Sequence, residues 1–280
     1  MKKKETLLSK LLTGIKIICL TAISGVFLFP FYIAIVYAFK SRVETSKSPI
    51  SFPSSLYIEN FKEAIKLPNY LHTFMNSVIV VVFVVLLVVI TCSMAAYIIV
   101  RKNNKFYNSF YYLFQLSILL PFPAIMFPLY VLLKDLGMIN TLTGLIISQT
   151  GILIGFYTFL YAGFIKTVPI ELEEAAKIDG CSRFRTFFQI VFPLLKPITM
   201  TIVILSFLAS WNDFIVAMVI AQKPSVRTLP LLQFYFFGEY SSEINLAFAA
   251  VIISMIPVMI LYFTLQKYII GGVTAGAVKG

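Results

Sequence analysis

The sequence predicts an all-α integral membrane protein with six transmembrane helices, and three observations lead there. Of the 280 residues, 59% are hydrophobic and 12% charged, roughly half the ~25% charged share of a soluble domain. A water-soluble globule of this length has no interior large enough for that much Leu, Ile, Val and Phe. Six apolar runs, at 17–39, 74–100, 106–133, 142–165, 198–221 and 246–265, contain no Lys or Arg. Each reaches the ~20 residues that cross a hydrocarbon core of ~30 Å. None alternates with period two, so the backbone in lipid satisfies its hydrogen bonds as helix and not as barrel strand.

The third observation is where the charges fall. With the N-terminus in the cytoplasm, 15 Lys and Arg and five acids lie inside, against 8 and six outside, net +10 against +2. This obeys the positive-inside rule. The overall charge of +11 therefore has a topological cause, and nucleic acid drops out as a partner. Disorder is excluded by composition. Cys19, Cys92 and Cys181 show no C-x-x-C spacing and read as small buried or incidental residues.

Taken in order, residues 1–16 are a Lys-rich cytoplasmic segment. Together with Ala22 and Ser24 they imitate a signal peptide, but the apolar run continues to Phe39, longer than such a segment needs, so it is a retained first helix. An external stretch over 40–72 carries the turn formers Pro49, Pro53, Ser54 and Ser55. Spans two and three are joined inside by a short link at 101–105, and three and four outside by 134–141. The inner connection 166–197 is over thirty residues long; a long patterned loop in a compact membrane protein points to function. The fifth and sixth spans are joined outside by 222–245, and the chain closes on a cytoplasmic Gly-rich tail.

The inner loop reads as two helices. Pro169 suits a first helical position, Glu171, Glu173 and Glu174 suit the positive end of the helix dipole, and Gly180 suits a stop. This predicts a helix from Pro169 up to the stop at Gly180, about eleven residues and roughly 16 Å long, too short and too charged to span. Ala175 and Ala176 make a small, smooth patch on it. Ser182 can cap a second helix whose Phe184, Phe187, Phe188 and Val191 share one face, with Pro193 and Pro197 ending the unit. Pattern alone allows either a lever presented to the cytosol or an interfacial amphipathic connector.

Glu174-Ala175-Ala176, Asp179-Gly180, Ile190 and Pro193 closely resemble the EAA signature of ABC-importer permeases. The resemblance runs on through Phe74-Met75-Asn76-Ser77, PLYVLLKDLGMINTLTGL over 128–145, Trp211-Asn212-Asp213-Phe214, Thr228-Leu229-Pro230-Leu231 and the ending GGVTAGAVKG. Together these are similar to the MalG-type permease subunits of carbohydrate ABC importers. Cys181 stands where Ala is common, and Val216-Ala217-Met218 replaces a bulkier Trp-Pro-Leu in the translocation region.

The resemblance implies a transmembrane domain over 17–268 with a core at 70–268, a coupling loop at 166–197 bearing an EAA-type coupling helix between spans four and five, and a cytoplasmic tail at 269–280. It further implies a bacterial cytoplasmic (inner) membrane, a second homologous permease subunit, an ATPase dimer whose groove receives the loop, and an extracytoplasmic sugar-binding protein. The tail is then a contact for the ATPase dimer; composition alone makes it a frayed end.

The remaining motifs have functional and structural readings side by side. No G-x-x-x-x-G-K-[ST] loop occurs, Gly271 and Gly276 being followed by Ala277, so the chain cannot hydrolyse ATP by that route. No catalytic residue, metal site or cofactor is implied, and His72 reads as surface packing. Asp213 is the one acid within a span, in the outer half of the fifth. With Trp211 and Asn212 it offers a hydrogen-bonding and stacking set for a sugar, or else a structural tie between helices. Asn76, with Ser77, either lines the pathway or caps a helix start.

Pro30, Pro121, Pro123, Pro128 and Pro257 are expected to kink or break their spans. Gly151 and Gly155 form a G-x-x-x-G face on span four for close helix contact. A permease for another solute, an ion-coupled secondary transporter and an integral membrane enzyme are the competing functions. The last two lack the intramembrane charge pairs or clustered catalytic groups they would need.

Overall fold

A computed structural model of the protein describes residues 7–67, 69–239 and 243–277. In chain order the helices are α1 (Leu7–Ala38), α2 (Arg42–Lys47), α3 (Glu59–Lys66), α4 (Tyr70–Lys102), α5 (Lys105–Leu119), α6 (Phe122–Asp135), α7 (Leu142–Ile165) and α8 (Glu171–Ile178). They continue with α9 (Arg183–Thr186), a π-turn at Phe187–Val191, α10 (Phe192–Leu194), α11 (Lys196–Trp211), α12 (Ile215–Ile220), a 3-10 turn at Pro224–Val226, α13 (Leu229–Glu239) and α14 (Ile244–Ala277). No strand occurs among the described residues. Residues 1–6 of the N-terminal segment and 278–280 of the tail lie outside them. The tail is helical as far as Ala277.

Among the described residues four stretches are continuous, apolar and long enough to cross a membrane, Thr13–Ala38, Tyr70–Lys102, Leu142–Ile165 and Ile244–Gln266, and up to six spans result if each of two bent helix pairs counts as one. The fourth predicted span coincides with α7 at both ends, where the Thr141 hydroxyl accepts from the Gly144 amide at 3.0 Å and supplies the N-cap. The second span starts earlier than predicted, at Tyr70, and runs to a left-handed Asn103 (φ +33°) of the kind that ends helices.

The third and fifth spans are not single helices. Residues 106–133 divide into α5 and α6, bent by 109°. Leu120 is extended, with ψ 113°, because the ring of Pro121 excludes its predecessor from the helical region. The fifth span, predicted over 198–221, enters through a 79° bend between Arg183–Leu194 and Lys196–Trp211. Pro197 lies in the first turn of α11 and cannot donate the N–H that would carry the preceding helix onward. α11 then stops at Trp211 and the chain resumes helix only at Ile215. Of the prolines expected to interrupt spans, only Pro121 stands at the break in the third. Pro30, Pro128 and Pro257 lie inside continuous helices, and Pro123 occupies the first turn of α6, where no intrahelical N–H is required.

The chain forms two compact units, residues up to 67 with 235–255, and 68–234 with those from 256 on. In the first, polar side chains close the end of α1. The Asn60 amide donates to the Ala38 and Lys40 carbonyls, both at 2.8 Å. The Asn245 amide donates to Tyr37, Lys40 and the Thr45 hydroxyl at 2.8, 3.0 and 2.7 Å, so helix-end carbonyls find partners. Lys40 is fully buried, its ammonium donating to the Ser48 carbonyl and the Ser51 hydroxyl at 2.6 and 3.0 Å.

The second unit is built on α4 packed along α7 and α11. α4 contributes Val80, Val84, Val88, Cys92 and Ala96, all buried, at the helical spacing that makes one face. Between α7 and α11 the Tyr161 hydroxyl donates to Thr199 at 3.0 Å. Gly155 admits α5: a Cβ there would collide with the Ser117 hydroxyl and stand 2.5 Å from the Phe114 carbonyl oxygen, whereas Gly151 faces open space. Only one glycine of the G-x-x-x-G pair makes a close helix contact.

Candidate functional site

The loop between α7 and α11 presents its first helix, α8, on the surface of the protein. Glu171, Glu173 and Glu174 occupy its first turn, where the unpaired N–H groups favour negative charge. It spans Glu171–Ile178, shorter than the predicted run from Pro169 up to the stop at Gly180. At the far end the Cys181 amide donates to Ala176 at 2.9 Å and the Gly180 amide to Lys177 at 3.1 Å, with Gly180 at φ +78°. This pair of bonds is a Schellman cap, which requires a left-handed residue and takes Gly at least cost. The cap draws Asp179 and Gly180 out of the helix, and Pro169 stands ahead of its first turn.

Glu174, Ala175, Asp179 and Gly180 are exposed, and Ile178 is 86% exposed. Ala176 faces inward, 4% exposed, so the two alanines of the predicted patch lie on different faces. The second arm departs further from its prediction. Ser182 does cap α9, accepting from the Arg185 amide at 3.3 Å. After one turn, however, the helix widens into the π-turn at 187–191. A π-turn adds a residue to the turn and shifts the register of every side chain after it. Phe187 and Val191 are buried while Phe184 and Phe188 are exposed, so the expected four-residue apolar face is split. The rings of Phe184 and Phe188 meet at 4.8 Å, and Phe187 and Phe188 at 4.9 Å. Ile190 is half-buried and Pro193 exposed.

What holds α8 against the membrane helices was not apparent in the sequence. Glu173 accepts from Arg101 Nε at 2.7 Å through one oxygen and from the Tyr97 hydroxyl at 2.7 Å through the other. The side chains of Arg101 and Glu173 are only 15% and 11% exposed. Arg101 Nη2 also donates to the Val168 carbonyl at 2.9 Å. The Tyr97 ring lies 5.0 Å from that of Phe187. A cleft of about 470 Å³ opens beside this cluster, with Lys102, Lys177, Cys181 and Arg183 among its walls. One signal for the cluster was available: Tyr97 and Arg101 stand four apart near the C-terminal end of α4, on one helix face.

The second candidate region is the break between α11 and α12. Asp213 sits in it, its carboxylate accepting from the Val216 and Ala217 amides at 3.3 and 3.0 Å and from Gln149 Nε2 of α7 at 2.9 Å. Gln149 in turn accepts from the Ser210 hydroxyl at 2.5 Å. The carboxylate thus replaces backbone partners at the start of α12, which is why the helix breaks here. Asn212 is exposed. Trp211 is only 4% exposed, stacked on Phe207 at 5.6 Å and edge-on to Phe74 at 5.9 Å.

Asn76 is buried; its amide donates to the Ser225 and Arg227 carbonyls at 3.1 and 3.0 Å. The neighbouring Ser77 hydroxyl accepts from the Leu229 amide at 2.8 Å. Neither caps a helix start, since α4 begins six residues earlier, at Tyr70. The structure therefore gathers Trp211, Asn212 and Asp213 at one break and ties Asn76 to the 224–229 segment. No group of three or more His, Cys, Asp or Glu suited to a metal occurs among the described residues.

Residues 88–274, well over half of the chain, match the family model of the binding-protein-dependent transport system inner membrane component. The chain belongs to that family. Relatives extend the match over nearly the whole length. The chain is 38% identical to the probable starch degradation products transport system permease protein AmyC of Thermoanaerobacterium thermosulfurigenes, across 89% of this chain and 91% of that one. It is 39% identical to the melibiose/raffinose/stachyose import permease protein MelC of Bacillus subtilis, across 90% and 91%. A solved bacterial ABC transporter involved in alginate import shares the fold, with a TM-score of 0.82 at 20% identity, covering 95% of this chain and 99% of that one. As a member of this family the chain is a multi-pass permease of the inner membrane, and the family is one of transporters and not of enzymes. Its kind of system works with a solute-binding protein and an ATPase.

Proposed function

We propose that this permease forms half of a two-subunit pore through which a sugar or oligosaccharide, delivered by an extracytoplasmic binding protein, enters the cell. The sugar class is supported by the names of relatives that match nine-tenths of the chain. The observation that carries the mechanism is α8, a short helix that keeps Glu174, Ala175, Asp179 and Gly180 exposed while Glu173 is buried against α4. Such a helix suits docking on its outer face and anchorage on its inner one. In this reading the ATPase dimer seats α8 and the turn after it, with Ile190 and Pro193 shaping the second arm. ATP-driven closure moves the helix, the bundle opens outward, and hydrolysis restores the inward-open state.

The termini lie in the cytoplasm, with 1–16 before a transmembrane domain at 17–268 and the tail at 269–280. The coupling loop is 166–197, and a homologous second permease completes the pore. The α11–α12 break is the proposed approach to the translocation path. Exposed Asn212 stands nearest to it in character, Trp211 and Asp213 shape it from behind, and Asn76 holds the 224–229 segment beside span two. Broken helices with irregular backbone are tolerated in lipid only where buried in protein or lining a cavity.

Uptake of labelled mono- and oligosaccharides by cells lacking this gene tests the function. Loss of uptake for at least one of them, restored by the gene, is the expected result; undiminished uptake across the panel overturns it. Glu174→Lys reverses charge on the exposed face of α8 and should uncouple transport while membrane insertion persists. Normal uptake with normal ATPase association in that variant would remove the coupling role.

A further inference from the structure

We infer that Arg101, Glu173 and Tyr97 are positioning residues that make α8 and the inner end of α4 one rigid piece, so that any displacement of α8 is delivered to the second span. This rests on the coupling role proposed for α8 and assigns the route by which its motion reaches the bundle. One guanidinium ties three parts of the fold: α4, which carries it; α8, through Glu173 at 2.7 Å; and the turn between α7 and α8, through the Val168 carbonyl at 2.9 Å. Both carboxylate oxygens of Glu173 are occupied, the second by Tyr97 at 2.7 Å. These bonds are charge-assisted and short. The pair is also largely shielded from water, where removing one partner leaves the other charge uncompensated.

The covalent route from α8 to α11 is of a different kind. It passes the left-handed Gly180, the π-turn at Phe187–Val191 and the 79° bend ahead of Lys196, three places where the regular α-helix is interrupted. A rigid tie to α4 and a jointed tie to α11 mean that α4 follows α8 while α11 pivots. α4 in turn packs along α7, where the buried Cys92 thiol donates to the Ile154 carbonyl at 3.6 Å.

The test uses the complete importer in proteoliposomes, measuring sugar taken up per ATP hydrolysed and the ATPase subunit that co-purifies. Arg101→Ala and Glu173→Ala should each lower uptake per ATP by about tenfold, and the double variant by the same factor and not its square, since both remove one tie. Tyr97→Phe deletes a single hydroxyl and should lower it about two- to fourfold. ATPase should co-purify with all of them as with the wild type. Where the alanine variants fail to accumulate, Glu173→Gln, which keeps the shape and drops the charge, is expected to lose uptake per ATP as Glu173→Ala would.

Wild-type uptake per ATP in Tyr97→Phe and in either charge variant overturns the tie, and so do losses that multiply in the double variant. Failure here is distinguishable from failure of the coupling role itself. If Glu174→Lys uncouples transport and these variants do not, only the tie is wrong; if Glu174→Lys changes nothing, the role of α8 is wrong.

Discussion

Replacing Gln149 by Leu separates a structural Asp213 from one that serves the substrate alone. Gln149 makes two hydrogen bonds across the α7–α11 boundary, donating to the Asp213 carboxylate at 2.9 Å and accepting from Ser210 at 2.5 Å. The first is charge-assisted and worth ~1.5–3 kcal/mol net, the second ~0.5–1.5. Leu is similar in volume and leaves Asp213 with its two backbone donors, so the loss should total about 2–4 kcal/mol. For a chain of this size that lowers Tm by on the order of 5–10 °C. Trp211 is the only tryptophan, buried and stacked on Phe207 two residues from Asp213, so its fluorescence in detergent reports unfolding at the break. Gln149→Leu and Asp213→Ala combined should cost less than the sum of their separate losses. A Gln149→Leu melting curve within about 1 °C of wild type would refute the tie, as would strict additivity.

Three further outcomes follow from local geometry. Gly155→Ala should lower thermal stability by ~1–3 kcal/mol, because its methyl meets the Phe114 backbone carbonyl, which cannot swing aside; Gly151→Ala, facing open space, should melt within a degree or so of wild type. Gly180→Leu puts a Cβ at φ +78°, costing ~1–2 kcal/mol in the Schellman turn, and should reduce uptake while the protein still inserts at wild-type level. Glu44 accepts from the Ser54 amide at 2.6 Å, and that bond holds its carboxyl below the ordinary glutamate range. A depressed folded-state pKa stabilises the loop between α1 and α3 above the unfolded value and ceases to do so as pH falls through the folded one. Exchange of the Ser54 amide should therefore accelerate, relative to its intrinsic rate, as pH drops below about 4.3, and Glu44→Gln should abolish that dependence.

Signals that act within a few residues were legible. Ser182 as cap and Gly180 as stop each perform the task the sequence predicts with a bond to a near neighbour. The ends of α7 match the prediction residue for residue, since Lys166 and the polar 134–141 link bound an apolar run. Of the five prolines expected to kink or break their spans, Pro121 stands at a break. Pro30 and Pro257 carry the same local penalty, yet α1 and α14 continue through them. The π-turn was invisible because Phe184, Phe187, Phe188 and Val191 fit a regular helix equally well.

The sequence by itself determined that this chain lives in a membrane, where its long apolar runs lie and how its basic residues are distributed between the loops. Each follows from transfer free energy summed along a run of residues, and that sum needs no knowledge of neighbours. It also determined that the inner loop carries a short acidic helix, through caps and a glycine. Only the tertiary structure decided that Arg101 meets Glu173 and that Gln149 meets Asp213. Those partners stand 72 and 64 residues apart, and no local term prefers one distant partner to another. Burial makes the choice: once α4, α7 and α11 pack, a charge or amide turned inward must find the group already there, or the packing fails.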